Sequence, residues 1–220
     1  THSKVALVVR KEGDHITRYV HLGTGNYNHL TATVYEDLSM FTSDEDIADD
    51  ATHLFNYLTG YSLKEDYKKL LVAPINLRQR FQELIQREIE HQRAGRGGYL
   101  IFKMNSLVDN PIIRQLYQAS QEGVKIDLIA RGICSLRPGI KGLSENIRVI
   151  SIVGRFLEHS RIYYFNNGGD PKILLGSADL MPRNLNQRVE VLFPVEDASI
   201  IKNIKGNILD TLLRDNVKAR

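Results

Sequence analysis

The chain holds a single cysteine, Cys134, in 220 residues, so it has no internal disulfide and fits a reducing compartment. No apolar stretch approaches the ~20 residues of a membrane span. No signal-like apolar region opens the sequence. Its histidine, cysteine and acidic residues are not spaced as zinc ligands. It also lacks an initiator methionine and opens directly on a motif, as expected of a fragment. Neither charge sign dominates: 29 Lys and Arg face 26 Asp and Glu, a formal net charge of +3. Such a balance suits an anionic ligand without demanding one. With 42% apolar and 25% charged residues, the chain can bury the core of one large or two small soluble domains.

What is present is a histidine-centred pattern that occurs twice. The first copy is His2-Ser3-Lys4, an apolar run Val5–Val9, then Tyr19-Val20-His21-Leu22-Gly23-Thr24-Gly25-Asn26. The second is His159-Ser160-Arg161, an apolar run Ile162–Phe165, then Ile173-Leu174-Leu175-Gly176-Ser177-Ala178-Asp179. From Gly23 onward the copies keep one offset of 153 residues, which sets Thr24 on Ser177, Asn26 on Asp179, Tyr35 on Arg188 and Asp37 on Glu190. A histidine with a cation two positions on, at the start of a strand, puts both side chains on one sheet face. Two such strands side by side could hold two imidazoles and two cations around one phosphorus atom.

The flanking segments give the architecture. Strands are expected over about 4–10 and 17–22, then a Thr-rich extended run over 31–40. A helix follows, capped by Ser43, with Ile47, Ala51, Leu54, Phe55 and Leu58 on one face and Gly60 as its stop. After Pro74, Leu77, Phe81, Leu84, Ile85 and Ile89 recur at helical spacing. The alternating charges on the other face read as solvated. Then come strand Tyr99–Met104, helix Asn110–Glu122 with Pro111 in its first turn and Gly123 as its stop, and strands Ile126–Ala130 and Ile147–Val153. The second histidine motif, strands Ile173–Leu175 and Arg188–Phe193 and a last helix from about Asp197 complete the unit. This order predicts an α/β fold with a partly parallel mixed sheet flanked by helices. The first copy holds only the closing half of such a unit, so its opening strands are expected upstream of Thr1. Residues 1–69 are thus expected to form the C-terminal part of one domain, and residues 70–220 a complete, related one.

His2 and His159 lead the candidate residues, because neutral imidazole is both a nucleophile toward phosphorus and an acid or base near neutral pH. An isolated strand histidine is more often a satisfied core residue; duplication in equivalent frames reverses that preference. Lys4 and Arg161 would neutralise phosphate oxygens, Arg as a fork and Lys as a point charge. Thr24, Ser177 and Asn26 can bond phosphate oxygens from their glycine-containing loops, where glycine would let the backbone approach an anion. Tyr35 and Arg188, at matched positions, suggest a shared ligand. Arg131 follows a buried strand, where α/β folds set ligand groups. His21 fits a structural role as well as a catalytic one, and Glu158 is a candidate to orient His159. Cys134 reads as packing.

The doubled His-x-Lys/Arg strand followed by Gly-Thr/Ser-x-Asn/Asp resembles the phospholipase D superfamily, in which two half-sites combine into one active site. The resemblance narrows at Arg18–Asn28, Leu107-Val108-Asp109, Arg131–Leu136, Glu145–Val153, Arg155–Arg161 and Asp215–Arg220. These look like the signatures of the polyphosphate kinase family of the histidine-phosphorylated bacterial type, and they span nearly the whole chain. The resemblance implies a phospholipase D-like fold and reversible transfer of the terminal phosphate of ATP to inorganic polyphosphate. It assigns His2 as the phosphorylated nucleophile, His159 as its acid/base partner, and Tyr35, Arg131 and Arg188 as nucleotide or phosphate ligands. It further implies Mg²⁺, with ligands upstream and none within these residues, together with upstream domains that hold adenine; the isolated chain is then expected to be inactive. A cytoplasmic homo-oligomer, able to associate peripherally with a membrane and without a nucleic-acid partner, completes that expectation. One departure matters: Val5 to Arg10 holds no acid, whereas the phospholipase D pattern has an aspartate downstream of its first His-x-Lys. Phosphodiester hydrolysis, the alternative, is therefore disfavoured against transfer among phosphoanhydrides, where extra cations help.

Overall fold

Strand pairing in the computed structural model, which describes residues 1–61 and 66–220, builds two principal sheets from the two copies. The first part contains β1 (Lys4–Glu12), β2 (His15–Gly23), a short helix α1 (His29–Ala32), β3 (Tyr35–Glu36), β4 (Ser39–Thr42) and α2 (Glu45–Leu58). The second contains β5 (Leu71–Ala73), α3 (Leu77–Arg93), β6 (Tyr99–Met104), α4 (Asn110–Gln121), β7 (Lys125–Ala130), β8 (Ile147–Ile150), β9 (Leu157–Glu158), β10 (Arg161–Phe165), β11 (Lys172–Gly176), α5 (Pro182–Asn186) and β12 (Glu190–Val195). Helices α6 (Ala198–Asn203) and α7 (Asp210–Arg214) close it, joined by a π-helical turn over Ile204–Leu209.

A three-stranded antiparallel sheet runs β1-β2-β4, and a seven-stranded mixed sheet runs β5-β12-β11-β10-β6-β7-β8. Strands β6, β7 and β8 are parallel, as the strand-helix-strand order predicts, and the rest of that sheet is antiparallel. The repeat is preserved in register: β1-β2-β4 matches β10-β11-β12, with Lys4 opposite Gly23 as Arg161 is opposite Gly176, and Leu22 opposite Met40 as Leu175 is opposite Phe193.

Periodicity alone sets α3, whose Asn76 makes no side-chain cap, whereas α4 has a cap as well. In α3, Leu77, Phe81, Ile85 and Ile89 are all buried, and the Phe81 ring meets Phe102, Tyr163 and Phe165 at centroid distances of 5.0–5.7 Å. Helix α4 is capped by Asp109, which accepts from the Ile112 N–H, and is followed by Gly123 at φ +88°. Helices α3 and α4 cover one face of the large sheet. The other face packs Ile162, Leu175 and Phe193 against Val20 and Leu22 of β2, Ile47, Ala51 and Leu54 of α2, and Ile201 and Leu209 of the C-terminal helices. The first copy therefore shares a core with the second.

Local expectations fail where side chains compete with the backbone. The cap of α2 is Asp44, one residue beyond the expected Ser43; its Oδ1 accepts from the Ile47 N–H at 2.9 Å. The run over 31–40 is not continuously extended, because Asn28 Oδ1 accepts from the N–H groups of Leu30 and Thr31 and caps the turn of α1. Strand β8 stops at Ile150, and Ile152 instead bridges to Ala219. Strand β5, three residues long, carries no periodic signal and is defined by its pairing with β12.

Truncating the ring at the centre of the aromatic cluster tests this core: Phe81→Ala should cost about 3–5 kcal/mol, read as a shift in the denaturation midpoint without a change in slope.

Candidate active site

Each histidine segment hangs on the backbone of the opposite copy. The N–H groups of His2 and Ser3 both donate to the Val189 carbonyl, at 2.9 and 3.1 Å. Those of His159 and Ser160 donate to the Glu36 carbonyl, the equivalent position, at 3.2 and 3.1 Å. A parallel pairing of β3 with β9 reinforces the second exchange.

The next residue along supplies a carboxylate. His2 Nδ1 lies 2.9 Å from Glu190 Oε2, and His159 Nδ1 lies 2.8 Å from Asp37 Oδ1. A carboxylate accepts, so each Nδ1 carries a proton, and in the neutral ring Nε2 then presents its lone pair. The loop hydroxyls buttress the acids: Thr24 Oγ1 donates to Asp37 at 2.7 Å and Ser177 Oγ donates to Glu190 at 2.5 Å. Each hydroxyl in turn accepts a backbone N–H, from Leu38 and Val191 respectively. Two of the loop glycines are required by close packing around these contacts. A Cβ on Gly25 would lie 2.6 Å from the Asp37 carboxylate, and one on Gly176 would lie 2.0 Å from the Val191 carbonyl oxygen.

The cations break the symmetry. Lys4, 5% exposed, donates from Nζ to the His2 carbonyl at 2.5 Å. Burial pulls its pKa down to about 8, against the opposing charge of Glu190. Its loop counterpart is the neutral, exposed Asn26. Arg161 is buried and faces Asp179 through Nε and Nη2, both at 3.3 Å, while its Nη1 reaches the His159 carbonyl at 2.8 Å and His159 Nε2 at 2.9 Å. Among the described residues His2 Nε2 has no hydrogen-bond partner. The side chain of His2 is 29% exposed against 8% for His159. Burial lowers the His159 pKa below its usual 6.5, helped by the Arg161 and Lys4 charges and opposed by Asp37.

The other predicted residues surround this pair unevenly. The Tyr35 ring packs on His159 at a centroid distance of 4.8 Å. Arg131 donates to Asn105 Oδ1 at 2.9 Å, and Asn105 in turn donates its N–H to Asp179, which links Arg131 to the Arg161 pair. Tyr35, Arg131, Val153, Phe156 and Glu158 line a 460 Å³ cavity beside His159. Asn26, Tyr35 and Asp37 share a second cleft of 290 Å³ with His21, whose Nδ1 meets the Tyr27 hydroxyl at 2.7 Å and whose ring packs on Phe41. Arg188 is exposed and adjoins Val189; no contact joins its side chain to either histidine.

Glu158 does not orient His159. Adjacent strand residues point to opposite faces, and Glu158 turns instead to the buried Lys103 Nζ at 3.2 Å, beside Glu36 at 3.1 Å and Ser160 Oγ at 2.7 Å. The orienting carboxylates, Asp37 and Glu190, had a signal in the sequence: an acid recurs at the constant offset. Lys103, Asn105 and Asn184 had none.

Fold and site together define a two-copy α/β protein with one shared bis-histidine centre. Residues 70–220 match the family described as polyphosphate kinase C-terminal domain 2, and residues 1–64 match polyphosphate kinase C-terminal domain 1. The chain belongs to the polyphosphate kinase family. It is 57% identical over its whole length to a polyphosphate kinase of Synechocystis and 58% identical to polyphosphate kinase 1 of Chlorobaculum tepidum, spanning 30% and 31% of those proteins. The crystal structure of polyphosphate kinase from Porphyromonas gingivalis aligns with 99% of this chain and 34% of its own at a TM-score of 0.93 and 44% identity. NucT from Helicobacter pylori aligns with 68% of this chain and 96% of its own at a TM-score of 0.50 and 17% identity, a likeness of fold alone.

The asymmetry around His159 can be read by proton NMR. Its ring should titrate with a midpoint below 6.5. Arg161→Gln removes a cation and should raise the midpoint; Asp37→Asn removes the acceptor and should lower it further.

Proposed function

We propose that this chain forms the phosphoryl-transfer centre of an ATP:polyphosphate phosphotransferase that works reversibly through a phosphohistidine at His2. The observation that carries the reading is the crossed pair of histidines, each with Nδ1 tied to an acid of the other copy, of which only His2 has its Nε2 open. Membership of the polyphosphate kinase family supports the choice of substrates.

In this reading the His2 Nε2 lone pair attacks the terminal phosphorus of ATP. The P–N bond forms, the P–O bond to ADP breaks, and the bonding pair leaves on the ADP oxygen. Glu190 holds the Nδ1 proton and balances the charge that develops on the ring. A terminal oxygen of polyphosphate then attacks the same phosphorus, and the P–N pair returns to Nε2. His159, whose Nδ1 proton stays with Asp37, takes a proton from the incoming terminal phosphate on Nε2 once Arg161 Nη1 turns from that nitrogen to the phosphate, and returns it in the reverse direction. Lys4, Arg161, Arg131 and Arg188 balance the phosphate charge, with Tyr35 and Asn26 as further ligands. In such a loose transition state positioning and electrostatics carry most of the rate.

In this reading the ligands of Mg²⁺ lie upstream of these residues. Among the described residues no three His, Cys, Asp or Glu side chains are arranged to hold a metal. The acids nearest the histidines, Asp37 and Glu190, are already engaged with imidazole and hydroxyl donors. No step above is routed through a metal. The same reading takes residues 1–69 as the end of one catalytic domain and 70–220 as a second, in a cytoplasmic, homo-oligomeric protein that can associate peripherally with a membrane.

Labelling the complete gene product with γ-labelled ATP tests the roles. His2→Gln should abolish an acid-labile, base-stable adduct, whereas His159→Ala should keep the label on His2 and slow turnover by ~10²–10⁴-fold. A labelled peptide containing His159, with His2→Gln still modified, reverses the assignment.

A second measurement isolates Lys4. Anion binding favours its protonated form, so polyphosphate affinity should fall as pH rises through about 8, by up to about tenfold per pH unit well above it. In calorimetric titrations Lys4→Ala should flatten that dependence.

A further inference from the structure

We propose that Asn184 is the positioning residue that keeps Glu190 ionised behind His2, and so holds the phosphorylated imidazole in the form that releases its phosphate. The inference rests on the reading of His2 as the nucleophile.

Asn184 lies on α5, where its N–H and that of Leu185 both donate to the Met181 carbonyl at 3.0 Å. The residue is 2% exposed, and its Nδ2 donates to Glu190 Oε1 at 2.6 Å. Its own Oδ1 is buried without a partner. Stranding an amide oxygen in this way is costly. The opposite amide orientation would set that oxygen against a carboxylate already accepting from two other donors, so ionised Glu190 holds the amide as it stands.

Glu190 therefore accepts from His2, Ser177 and Asn184 and has no exposed surface. Its counterpart Asp37 accepts from His159 and Thr24, and its second oxygen faces Gly25. At the repeat position of Asn184 stands Thr31, whose hydroxyl turns away to the Asn28 carbonyl. Only the acid behind the nucleophile has a third donor.

Hydrogen bonds to a carboxylate favour its ionised form and lower its proton affinity. Once Nε2 carries a phosphoryl group, the ring bears Nδ1–H and a positive charge. If that proton stays, the P–N bond breaks with its electron pair returning to Nε2, and the leaving group is neutral imidazole. If the proton moves to Glu190, the leaving group becomes an imidazolide anion, far worse at departing. Asn184 opposes that move. During productive transfer the new P–O bond forms to the acceptor phosphate and the Nδ1 proton stays where it is.

Asn184→Leu, similar in size but without a donor, and Asn184→Asp, nearly the same shape, test this in the complete gene product. Phosphoenzyme is formed with γ-labelled ATP, and its discharge by ADP is timed across a range of pH. Asn184→Leu should still become labelled at His2 but discharge about 10- to 100-fold more slowly, in line with loss of a hydrogen bond to a charged group, with discharge recovering as pH falls. Asn184→Asp keeps a donor only while the two carboxyls share a proton, so it should discharge near the wild-type rate at acidic pH and lose that rate as pH rises. A pure packing role would alter stability without these pH signatures. Discharge rates and pH profiles equal to wild type in the folded variants overturn the proposal, and should the Leu variant not fold, the Asp variant decides alone. Absence of label on His2 in the wild-type protein would instead overturn the functional reading beneath it.

Discussion

The imidazoles of His2 and His159 are each oriented by an acid that the other copy supplies, and the rest of the centre follows from that exchange. The carbonyls of Glu36 and Val189 catch the two histidine segments, and the side chains one residue later accept hydrogen bonds from the Nδ1 atoms. Because the carboxylates arrive from across the interface, neither copy can orient its own histidine. The loop hydroxyls, the close-fitting glycines and the register of β1-β2-β4 against β10-β11-β12 all serve to deliver Asp37 and Glu190 to one point.

On this symmetric frame a few substitutions divide the labour. Lysine with a neutral asparagine on one side leaves Lys4 with no ion-paired carboxylate among the described residues; arginine with an aspartate on the other leaves Arg161 engaged with Asp179 and resting on His159. Glycine at 25 makes room for Asp37, where the second copy has Ala178. The result is one imidazole open to a ligand and one buried under a guanidinium. Two copies of one motif thus become two different tools without any change in backbone register.

Much of this was legible in the sequence because it is local. The face of α3 shows in the spacing of Leu77, Phe81, Ile85 and Ile89, and the duplication shows in the constant offset. What was not legible depends on partners distant in the chain. Asp37 and Glu190 recur at equivalent positions, yet nothing local says that each serves the other copy's histidine. Glu158, next to His159, was misleading: proximity in a strand sends neighbours to opposite faces, and its partner is Lys103. Asn184 has no sequence signal at all; its meaning comes from the burial of Glu190. Strand β5 exists because β12 offers an edge, whatever its own three residues prefer.

The Lys103 cluster has a thermodynamic meaning for the centre it underlies. Its ammonium, sunk in the large sheet, is satisfied by Glu36 from the first copy together with Glu158 and Ser160 from the second. Parting the copies would remove Glu36 and leave the buried ammonium with Glu158 and Ser160 alone, a weaker set of partners but not an unpaired charge. Glu36 thus joins two duties at one contact between the copies, its carbonyl holding the His159 segment and its carboxylate meeting the buried ammonium.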